Sequence, residues 1–558
     1  MVALLASPQL VAQIVGGDFE EIRRWPGPHK DAGFGGSVAD AGDIDGDGYS
    51  DIIVGKSDHK IGGLKVGTAA VISGATNRVI RRWYGTIDGA RFGGGVHGIG
   101  DINADGYPDV LITATFQASG GMTRNGSVYL YSGFDGSLLL NLHGPNSYGD
   151  FGSTVAAVGD IDGDGHDDFM VGARYAGTGS MWRNGRAFLY SGQNGQLIHE
   201  WSGESDSDIF GSALACAGDI NQDGVPDLII GGPRANASAF WAGSAYVFSG
   251  VDGSLLLRID GEYQGDQFGS GVAGLGDINA DGIPDFAIGA SWGDPLGRRD
   301  AGRIYAVSGA DGSLIYRLLG EASGDEFGSR MKAAADFDGD GISDLLVGIY
   351  LADPDGIRAA GSAYLYSGAG GGLILKWNGQ KEYDYLGIGM VGTSDLNGDG
   401  SPEFIVGAPG VDLPGMDDAG EIVVYQFNPF LTSSHETISA AAGGVLDFEL
   451  DFPADAAAME YKVLLSASGT GPTQYGVLIP LTLDSFVTDS FVGNYPVSQH
   501  SGMHGHLNAD GIGSAQFILP AGHASSLIGS TFHFAAISNP TGLEPHWSSA
   551  AVAITIEP

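Results

Sequence analysis

Residues 151–173 read FGSTVAAVGDIDGDGHDDFMVGA and contain the unit from which most of the chain is built. An acidic nonapeptide of the form Asp-x-(Asp/Asn)-x-Asp-Gly-x-x-(Asp/Glu) begins at Asp160, and a Phe-Gly pair lies nine residues before it. The nonapeptide recurs at intervals of 58 or 59 residues, beginning at Asp43, Asp101, Asp160, Asp219, Asp277, Asp336 and Asp395. Self-similarity at a fixed period is the signature of a repeat architecture.

Each unit also carries the sequence pattern of several short strands. An apolar run follows the nonapeptide, and a segment such as GRAFLYSG at 185–192 then alternates in the manner of a β-strand. The turn after it is usually Asp-Gly or Asn-Gly, which favours a two-residue hairpin with positive φ angles; the examples are Asp135-Gly136, Asn194-Gly195, Asp252-Gly253 and Asp311-Gly312. With a fourth strand after the turn, each unit predicts a four-stranded antiparallel sheet. Seven such sheets of about 60 residues fit a radial propeller better than a solenoid.

The ends of the array predict a closed ring. The seventh unit has its third strand, GEIVVYQF at 420–427, but reaches Asn428-Pro429 without a fourth. The segment Glu21–Trp25 precedes the first Phe-Gly pair by the interval expected of a fourth strand, so the N-terminus is expected to complete blade seven. Such closure removes unpaired strand edges.

The predicted fold class is all-β: a seven-bladed β-propeller with the N-terminal strand closing blade seven, followed by a small C-terminal β-sandwich. The expected boundaries are 1–18 for a leader, 19–427 for the propeller and 431–558 for the sandwich. Residues 1–18 are read either as a clipped secretion signal or as the start of the first strand, because they are mildly apolar but lack a basic start. The sandwich rests on alternating segments such as VLDFELDFP and STFHFAAIS.

Composition narrows the possible partners and functional classes of the protein. Among 558 residues there are 96 Gly, and 67 acids face 26 bases for a formal charge of −41. This negative charge repels phosphate backbones and anionic lipids, so nucleic acid is not an expected partner. Cations are the expected small partners. Cys216 is the only cysteine, which excludes an intrachain disulfide, and no apolar run is long enough for a transmembrane segment.

These motifs resemble the FG-GAP repeats that build the N-terminal propeller of integrin alpha subunits. The resemblance covers about residues 19–427 and includes the Phe-Gly pair, the acidic loop and Gly-Ala-Pro-like turns at Gly232-Pro233 and Gly407-Ala408-Pro409. It implies a seven-bladed propeller and calcium binding. One departure is that all seven loops here carry a full set of oxygen ligands, whereas integrin propellers carry such loops in only some blades.

The nonapeptides are candidate calcium sites because positions 1, 3, 5 and 9 always bear oxygen-containing side chains. Position 7 varies freely, as expected of a ligand supplied by a backbone carbonyl, and Gly at position 6 allows the sharp turn. Ca²⁺ accepts six to eight oxygen ligands, whereas Mg²⁺ demands strict octahedral geometry, so we expect up to seven Ca²⁺ ions. The predicted side-chain ligands are Asp43, Asp45, Asp47 and Asp51; Asp101, Asn103, Asp105 and Asp109; Asp160, Asp162, Asp164 and Asp168; Asp219, Asn221, Asp223 and Asp227; Asp277, Asn279, Asp281 and Asp285; Asp336, Asp338, Asp340 and Asp344; and Asp395, Asn397, Asp399 and Glu403. The predicted carbonyl ligands are those of Tyr49, Tyr107, His166, Val225, Ile283, Ile342 and Ser401.

Two alternative interpretations of the loops are weaker. An EF-hand requires a bidentate Glu at position 12, where these units have apolar residues such as Val54 and Ile112. A simple polar turn does not require acids at four fixed offsets.

The connections between second and third strands are rich in Arg and aromatic residues, which are enriched at binding hot spots and can stack on sugar rings. The resemblance places these connections opposite the calcium loops, on the face where ligands bind. The candidate ligand-face residues are Arg174, Tyr175, Trp182, Arg183, Arg234, Trp241, Trp292 and Arg298. For each of them, packing over a neighbouring blade is the alternative.

No motif supports catalysis; Gly289-Ala290-Ser291-Trp292-Gly293 matches a nucleophile elbow, but Ser291 occupies the repeat position of Arg174 and Pro233. The leading hypothesis is therefore a non-enzymatic, secreted or cell-surface adhesion or recognition module for an extracellular protein or glycan. The first alternative is a polysaccharide-active enzyme, such as a lyase, on a calcium-stabilised propeller, and the second is a purely structural protein. A lyase requires a basic or His/Tyr cluster that converges on one pocket.

Overall fold

The computed structural model describes residues 17–28, 33–338, 341–393, 395–398 and 401–429, together with the C-terminal strands given below. The chain is all-β, and the described residues contain only two short 3₁₀ turns, Pro295–Gly297 and Pro354–Gly356. Among these residues there is no helix of the length and apolarity that crossing a membrane would require.

Residues 17–429 form seven four-stranded antiparallel sheets, the blades of a β-propeller. The first strands of neighbouring blades contact one another all the way round the ring, so they lie nearest the axis. From the axis outward, the strands are Ser37–Gly42, Asp51–Lys56, Thr68–Ile72 and Val79–Tyr84 in blade one; Phe92–Gly98, Val110–Ala114, Ser127–Tyr131 and Leu138–His143 in blade two; Phe151–Gly159, Asp168–Ala173, Arg186–Tyr190 and Leu197–Ser202 in blade three; Ala213–Gly218, Asp227–Gly232, Ser244–Phe248 and Leu255–Asp260 in blade four; Phe268–Gly276, Asp285–Ala290, Arg303–Val307 and Leu314–Leu319 in blade five; Met331–Ala333, Leu345–Ile349, Ser362–Tyr366 and Leu373–Asn378 in blade six; and Gly389–Gly392, Glu403–Ala408, Glu421–Pro429 and Gly17–Pro26 in blade seven. A small hairpin, Lys60–Ile61 with Leu64–Lys65, decorates blade one.

The position of each strand in its blade follows from its sequence. Second strands such as Asp168–Ala173 are buried at every residue, because neighbouring blades cover both faces of the sheet. Fourth strands such as Leu197–Ser202 alternate between exposed and partly buried residues, as expected of an outer edge with one solvated face.

The Phe-Gly pair joins most blades to the one before it, and Leu386 takes the place of the Phe in blade seven. Phe92, for example, forms a backbone bridge with Gly67 of blade one, and the equivalent bridge from blade seven to blade one joins Phe34 to Gly420. The glycine of the pair is required by its backbone: Gly35 has φ +93°, and a Cβ there would lie 2.5 Å from the carbonyl oxygen of Glu421. The motif therefore acts as a joint between blades.

The N-terminal strand is the outermost strand of blade seven. Gly17–Pro26 pairs antiparallel with Glu421–Pro429, with Phe19 opposite Phe427 and a bulge between Glu21 and Arg23. Phe19 is buried, and its ring centroid lies 4.9 Å from that of Phe427 and 5.5 Å from that of Phe404. This sheet brings the two ends of the repeat array together.

Blade seven in turn packs against blade one. Val38, Ile52 and Val54 of blade one share a buried cluster with Ile405 and Val424 of blade seven. The seam where the chain closes on itself thus has an apolar core like those between consecutive blades.

The turns between third and fourth strands differ from the two-residue hairpins predicted for them. In blade two, Ser132 and Ser137 close a loop of residues 133–136, with Ser132 N–H donating to Ser137 O and Gly136 N–H donating to Ser132 O, both at 2.9 Å. Of the Asp135-Gly136 pair, only Gly136 has a positive φ. The Asp135 carboxylate instead accepts the N–H of Ser137 at 2.8 Å, which stabilises a longer turn.

The corresponding turns repeat this side-chain cap. Asn194, Asp252 and Asp311 accept backbone N–H groups two residues ahead, at 2.8–2.9 Å. The prediction of two-residue turns at these positions was therefore wrong as well.

The described C-terminal residues form two larger sheets and a small hairpin. The first sheet contains Leu431–Ser433, Gly444–Asp451, Ile512–Leu519 and His500–Ser501; the second contains Thr437–Ser439, Val552–Glu557, Thr531–Asn539, Glu460–Ser466, His504–His506 and Trp547–Ser548; and the hairpin is Pro472–Tyr475 with Val477–Pro480. Phe448 of the first sheet and Phe534 of the second are buried, and their ring centroids lie 4.9 Å apart. The C-terminal sandwich itself stays a prediction, and the expected leader 1–18 lies largely outside the described residues.

Candidate functional site

The acidic nonapeptides all lie at one end of the blades, where each connects the first strand to the second. The loop of blade two, for instance, runs from the end of Phe92–Gly98 to the start of Val110–Ala114. The turn between third and fourth strands lies at the same end, since the Ser132 hydroxyl donates to Asp105 at 3.2 Å. This end of the propeller is called the hairpin face below.

Position 1 of each loop organises the backbone around it. In blade one, Oδ1 of Asp43 accepts the N–H groups of Gly46 and Asp47 at 2.7 and 3.0 Å, and Oδ2 accepts that of Gly48 at 2.8 Å. Asp160 in blade three accepts the equivalent three bonds. The carboxylate thereby bends the loop around a point that the remaining oxygens face.

Position 9 is a structural residue as well as a predicted ligand. Its carboxylate is fully buried in all seven loops, at Asp51, Asp109, Asp168, Asp227, Asp285, Asp344 and Glu403. In blade three, Oδ2 of Asp168 accepts the N–H groups of Ile161 and Asp162 at 2.8 and 3.2 Å, and Oδ1 accepts that of Gly192 at 2.9 Å. The residue therefore fastens the loop to the turn that follows the third strand.

Burial dominates the electrostatics of position 9. It raises the pKa of Asp51 and Asp109 to about 7 and that of Asp168 to about 6, although backbone N–H donors act in the opposite direction. Nearby acids at positions 3 and 5 add to the rise at Asp51. In these three loops, burial makes the negative charge of position 9 unfavourable, and a bound cation would offset that effect.

The geometry of three loops fits one shared cation. The carboxylate oxygens of positions 1, 3 and 9 lie within 4.8 Å of one another in three triads: Asp43, Asp45 and Asp51; Asp160, Asp162 and Asp168; and Asp336, Asp338 and Asp344. Two oxygens that bind the same Ca²⁺ at about 2.3–2.6 Å can be at most about 5 Å apart. These triads meet that limit.

The loops of blades two, four, five and seven have Asn at position 3. The Oδ1 atoms of Asn103, Asn221 and Asn279 each accept the N–H of position 5 at 2.9 Å. In blade seven, Nδ2 of Asn397 donates to Glu403 at 2.7 Å and to Gln426 at 3.0 Å. Asn removes one negative charge from the loop while keeping an oxygen that could serve as a ligand.

Blade seven compensates for its missing turn. In blades one to six, position 9 accepts an N–H from a glycine after the third strand, such as Gly74 to Asp51 at 3.0 Å. Blade seven has no such turn and carries the longer Glu403, whose Oε1 accepts the Asn397 amide and whose Oε2 accepts Leu396 N–H at 2.6 Å. The extra methylene of Glu403 accompanies this change of partners.

Position 7 also links neighbouring loops. A Cβ at Gly398 of blade seven would lie 2.1 Å from the Tyr49 ring, and one at Gly46 of blade one would lie 3.0 Å from the Tyr107 ring. Each tyrosine therefore packs over the loop of the preceding blade. Ser50 N–H donates to Asp395 O at 3.2 Å across the closing seam.

Two predicted ligands lie outside the described residues, namely Asp340 and Asp399 at position 5 of the sixth and seventh loops. Of the other predicted ligands, the structure brings the carboxylates of positions 1, 3 and 9 close together in the loops of blades one, three and six.

The opposite end of the blades carries the connections from second to third strands and from blade to blade. Neighbouring connections bond to one another, as when Tyr148 N–H donates to Thr123 O at 2.8 Å and Tyr175 N–H donates to Gly149 O at 3.2 Å. This end is called the connection face below. The structure brings predicted Arg174, Tyr175 and Arg183 into one pocket on this face.

The other predicted ligand-face residues lie outside that pocket. Trp182 is 61% exposed and stacks with Arg183, while Arg234 stacks on Trp241 in blade four. Trp292 is half-exposed in blade five, and Arg298 donates to Gly320 O at 3.3 Å. The eight residues therefore do not form one site.

Sequence reasoning missed three arginines of the pocket: Arg91, Arg124 and Arg330. Arg330 follows a Phe-Gly-Ser segment at a position where other units have small residues such as Gly95, Thr154 and Ala213. That departure from the repeat was a usable signal. Arg91 and Arg124 lie in variable connections, where no departure from the repeat marks them in the sequence.

The propeller, the Phe-Gly joints and the acidic loops together define the class: a seven-bladed β-propeller with candidate cation-binding hairpins. Comparison with known proteins agrees. The FG-GAP repeat family matches residues 210–248, 268–307 and 390–425, and the FG-GAP-like repeat family matches residues 101–171. The chain thus contains an integrin alpha-like FG-GAP β-propeller.

Curated relatives include integrin alpha chains. Integrin alpha-5 of Xenopus laevis is 28% identical over 303 residues, which is 50% of this chain and 27% of that protein. Integrin alpha-IIb of Homo sapiens is 32% identical over 235 residues, which is 39% of this chain and 22% of that protein. Integrin alpha-8 of Mus musculus is 29% identical over 254 residues, which is 42% of this chain and 22% of that protein. The matches thus span about a quarter of the relatives' length.

Proposed function

We propose that the propeller is a calcium-stabilised adhesion or recognition module that binds an extracellular protein or glycan through its connection face. The observation that carries the proposal is the separation of two chemistries at the two ends of the same strands. Acidic loops occupy the hairpin face, and exposed Arg and aromatic side chains such as Trp182 and Arg183 occupy the other. A ligand can therefore bind without disturbing the loops that hold the ring.

Calcium is the proposed cation, with up to seven ions. The side chains at positions 1, 3, 5 and 9 and the carbonyl at position 7 would hold each ion, which neutralises clustered negative charge. The acid triads with oxygens within 4.8 Å of one another support this assignment for blades one, three and six. In the loops with Asn at position 3, the amide oxygen would replace one carboxylate.

The proposed organisation has a leader at 1–18, a propeller at 19–427 and an accessory β-sandwich at 431–558. The N-terminal strand is proposed to fasten the ring, supported by its pairing with Glu421–Pro429. We place the protein outside the cell or at its surface, because acidic calcium loops of extracellular modules bind at about 10⁻⁴–10⁻³ M.

The experiment is a binding screen of the full chain on protein and glycan arrays in calcium, repeated in EGTA. Trp182→Ala tests the connection face, and Phe134→Ala is the matched control, since Phe134 is an exposed aromatic of the hairpin face. We expect ligands that require calcium and are weakened by Trp182→Ala alone. Ligands weakened equally by both variants, or none at all, would contradict the proposal.

A polysaccharide lyase is the second candidate. One observation favours it: His97 lines the same pocket as Tyr148, Tyr175 and the arginines. Burial and the nearby Lys332 ammonium lower the pKa of His97 to about 3, so the imidazole is neutral at neutral pH but only weakly basic, which limits it as the base of an elimination. A polysaccharide lyase cleaves its substrate by elimination. A base removes the proton from the carbon next to the uronate carboxylate, a carbon–carbon double bond forms, and the glycosidic oxygen leaves with a proton from an acid. Incubation with polygalacturonate, followed by ultraviolet detection of unsaturated products, tests this; no product excludes it for that substrate.

A further inference from the structure

The connection face contains a pocket of about 590 Å³ whose lining includes five arginines: Arg91, Arg124, Arg174, Arg183 and Arg330. They come from blades two, three and six and from the connection between blades one and two, so only the folded ring brings them together. Asp150 is the one carboxylate of this lining. This arginine pocket lies in a chain whose formal charge is −41.

Aromatic rings support four of these guanidinium groups, and of the four only Arg174 also pairs with an acid, Asp150. Arg91 and Arg124 both stack on Phe116, with the guanidinium carbon 4.0 and 4.7 Å from the ring centroid. Arg174 and Arg183 both stack on Tyr175 at 4.9 Å. A stacked guanidinium keeps its in-plane N–H donors available, and those donors match carboxylate and sulfate oxygens.

The positive charge of the pocket is mostly uncompensated within the chain. Among the described residues, Arg174 pairs with Asp150 at 3.1 Å, and no other arginine of the pocket forms an ion pair. Desolvation and the neighbouring Arg174 lower the pKa of Arg330. Like charges gathered in this way repel one another, and a bound anion relieves that repulsion.

We propose that the arginine pocket binds the carboxylate or sulfate groups of an acidic oligosaccharide. The remaining lining favours a sugar over an acidic peptide, because Ser57, Thr113, Thr115 and Ser153 place hydroxyl groups among the arginines. Sugar rings present many hydroxyls beside each anionic group, whereas an aspartate or glutamate side chain presents only the carboxylate. This inference rests on the proposed function, which assigns ligand binding to the connection face.

A second cavity among the described residues does not share this chemistry. It has a volume of about 350 Å³ between blades six and seven, and its lining combines Arg24 and Lys381 with Asp384, Asp412 and Glu421. Its three acids outnumber its two bases, so it offers no preference for an anion.

The test measures binding of the calcium-loaded full chain by titration calorimetry at low salt. The probes are hexagalacturonate, a heparin-derived hexasaccharide, neutral cellohexaose and hexaglutamate. We expect one or both acidic sugars to bind. Binding of hexagalacturonate would show that carboxylates suffice, whereas binding of the heparin hexasaccharide alone would indicate that sulfate is required. Cellohexaose and hexaglutamate should bind at least tenfold more weakly. Added salt should weaken the sugar binding.

The double variant Arg91→Ala/Arg124→Ala should reduce affinity for the acidic sugar at least tenfold, and the matched control Arg234→Ala, on the same face outside the pocket, should leave it unchanged. Melting curves in calcium verify that each variant is folded. Arg174→Ala is the second pocket variant if the double variant does not fold. Failure of both acidic sugars to bind, tighter binding of hexaglutamate, or an effect of Arg234→Ala equal to that of the pocket variants would overturn the proposal. If the array ligands are lost in Trp182→Ala but kept in the pocket variants, the arginine pocket fails and the recognition function stands.

Discussion

The hairpin face and the connection face are opposite ends of the same strands, yet they are built on different principles. The loops of blades one to six repeat one geometry, in which position 1 binds the loop backbone and a fully buried position 9 fastens it, as Asp160 and Asp168 do. The connection face has no such repeat, and its arginine pocket draws on single departures such as Arg330. Repetition thus gives the hairpin face one recurring loop geometry, whereas single departures from the repeat gather unlike side chains on the connection face.

The two faces also manage charge differently. On the hairpin face, backbone N–H groups surround acids whose pKa is raised by burial, as at Asp109. On the connection face, aromatic rings support arginines that remain open to solvent, as Phe116 supports Arg91. Changes on the first face should therefore unfold the ring, whereas changes on the second should alter only binding.

The largest loss of folding stability is expected at Phe19, because both faces of the propeller depend on a closed ring. Phe19→Ala removes a buried ring that packs against Phe404 and Phe427 in the strand that completes blade seven. The free energy of unfolding should fall by about 3–5 kcal/mol. Urea denaturation in calcium measures it, with Phe134→Ala, an exposed phenylalanine, as the control. Equal small losses in both variants would mean that the N-terminal strand does not secure the ring.

Asp168→Ala should produce the next largest effect. It leaves the buried N–H groups of Ile161 and Gly192 without their acceptor, and each unsatisfied group costs about 1–3 kcal/mol. On the connection face, Asp150→Ala breaks only a partly exposed pair with Arg174, worth about 0–1 kcal/mol. Comparing the two unfolding free energies measures the difference between the faces directly. If Asp150→Ala lowered the free energy of unfolding as much as Asp168→Ala does, the proposed difference between the two faces would be contradicted.

A smaller change should separate the loops of the hairpin face from one another. Asp45→Asn gives loop one the residue found at position 3 of loops two, four, five and seven. Losing one carboxylate should lower calcium affinity at that loop about fivefold to tenfold, or about 1–1.4 kcal/mol. Calcium titration followed by calorimetry measures this, with Asp58→Asn on the connection face as the control. Unchanged affinity would show that position 3 does not contribute charge to the site.

The smallest effect is expected for Arg91→Ala. The side chain is exposed and forms no ion pair among the described residues, so stability should change by no more than about 0.5 kcal/mol. Calcium binding should be unaltered. Thermal melting and calcium titration of the variant check both. A marked loss of either would mean that the arginine pocket supports the ring.

The sequence predicted the architecture well because the repeat specifies it many times over. Phe-Gly pairs such as Phe92-Gly93 and buried runs such as Asp168–Ala173 mark each blade independently, and the comparison with FG-GAP repeats confirms the resemblance. The acids at fixed offsets identified the candidate loops. Their joint fastening role was not visible, because the partner of Asp51 is Gly74, more than twenty residues away.

Two features escaped sequence reasoning for physical reasons. The predicted two-residue turns were wrong because the Asp135 side chain caps a longer loop through Ser137 N–H, an option that a dipeptide pattern does not distinguish. The arginine pocket was missed because Arg91, Arg124 and Arg330 are far apart in sequence and converge only when the ring closes.

The most direct test of this account is thermal melting of the full chain with saturating calcium and with excess EGTA. A cation that binds only the folded state contributes about 2.7 kcal/mol per site at a hundredfold excess over its dissociation constant, so several sites should together dominate the stability of the ring. We expect EGTA to lower the melting temperature sharply and added calcium to restore it. Identical melting curves in the two conditions would contradict the claim that cations among the acidic hairpins hold the propeller together.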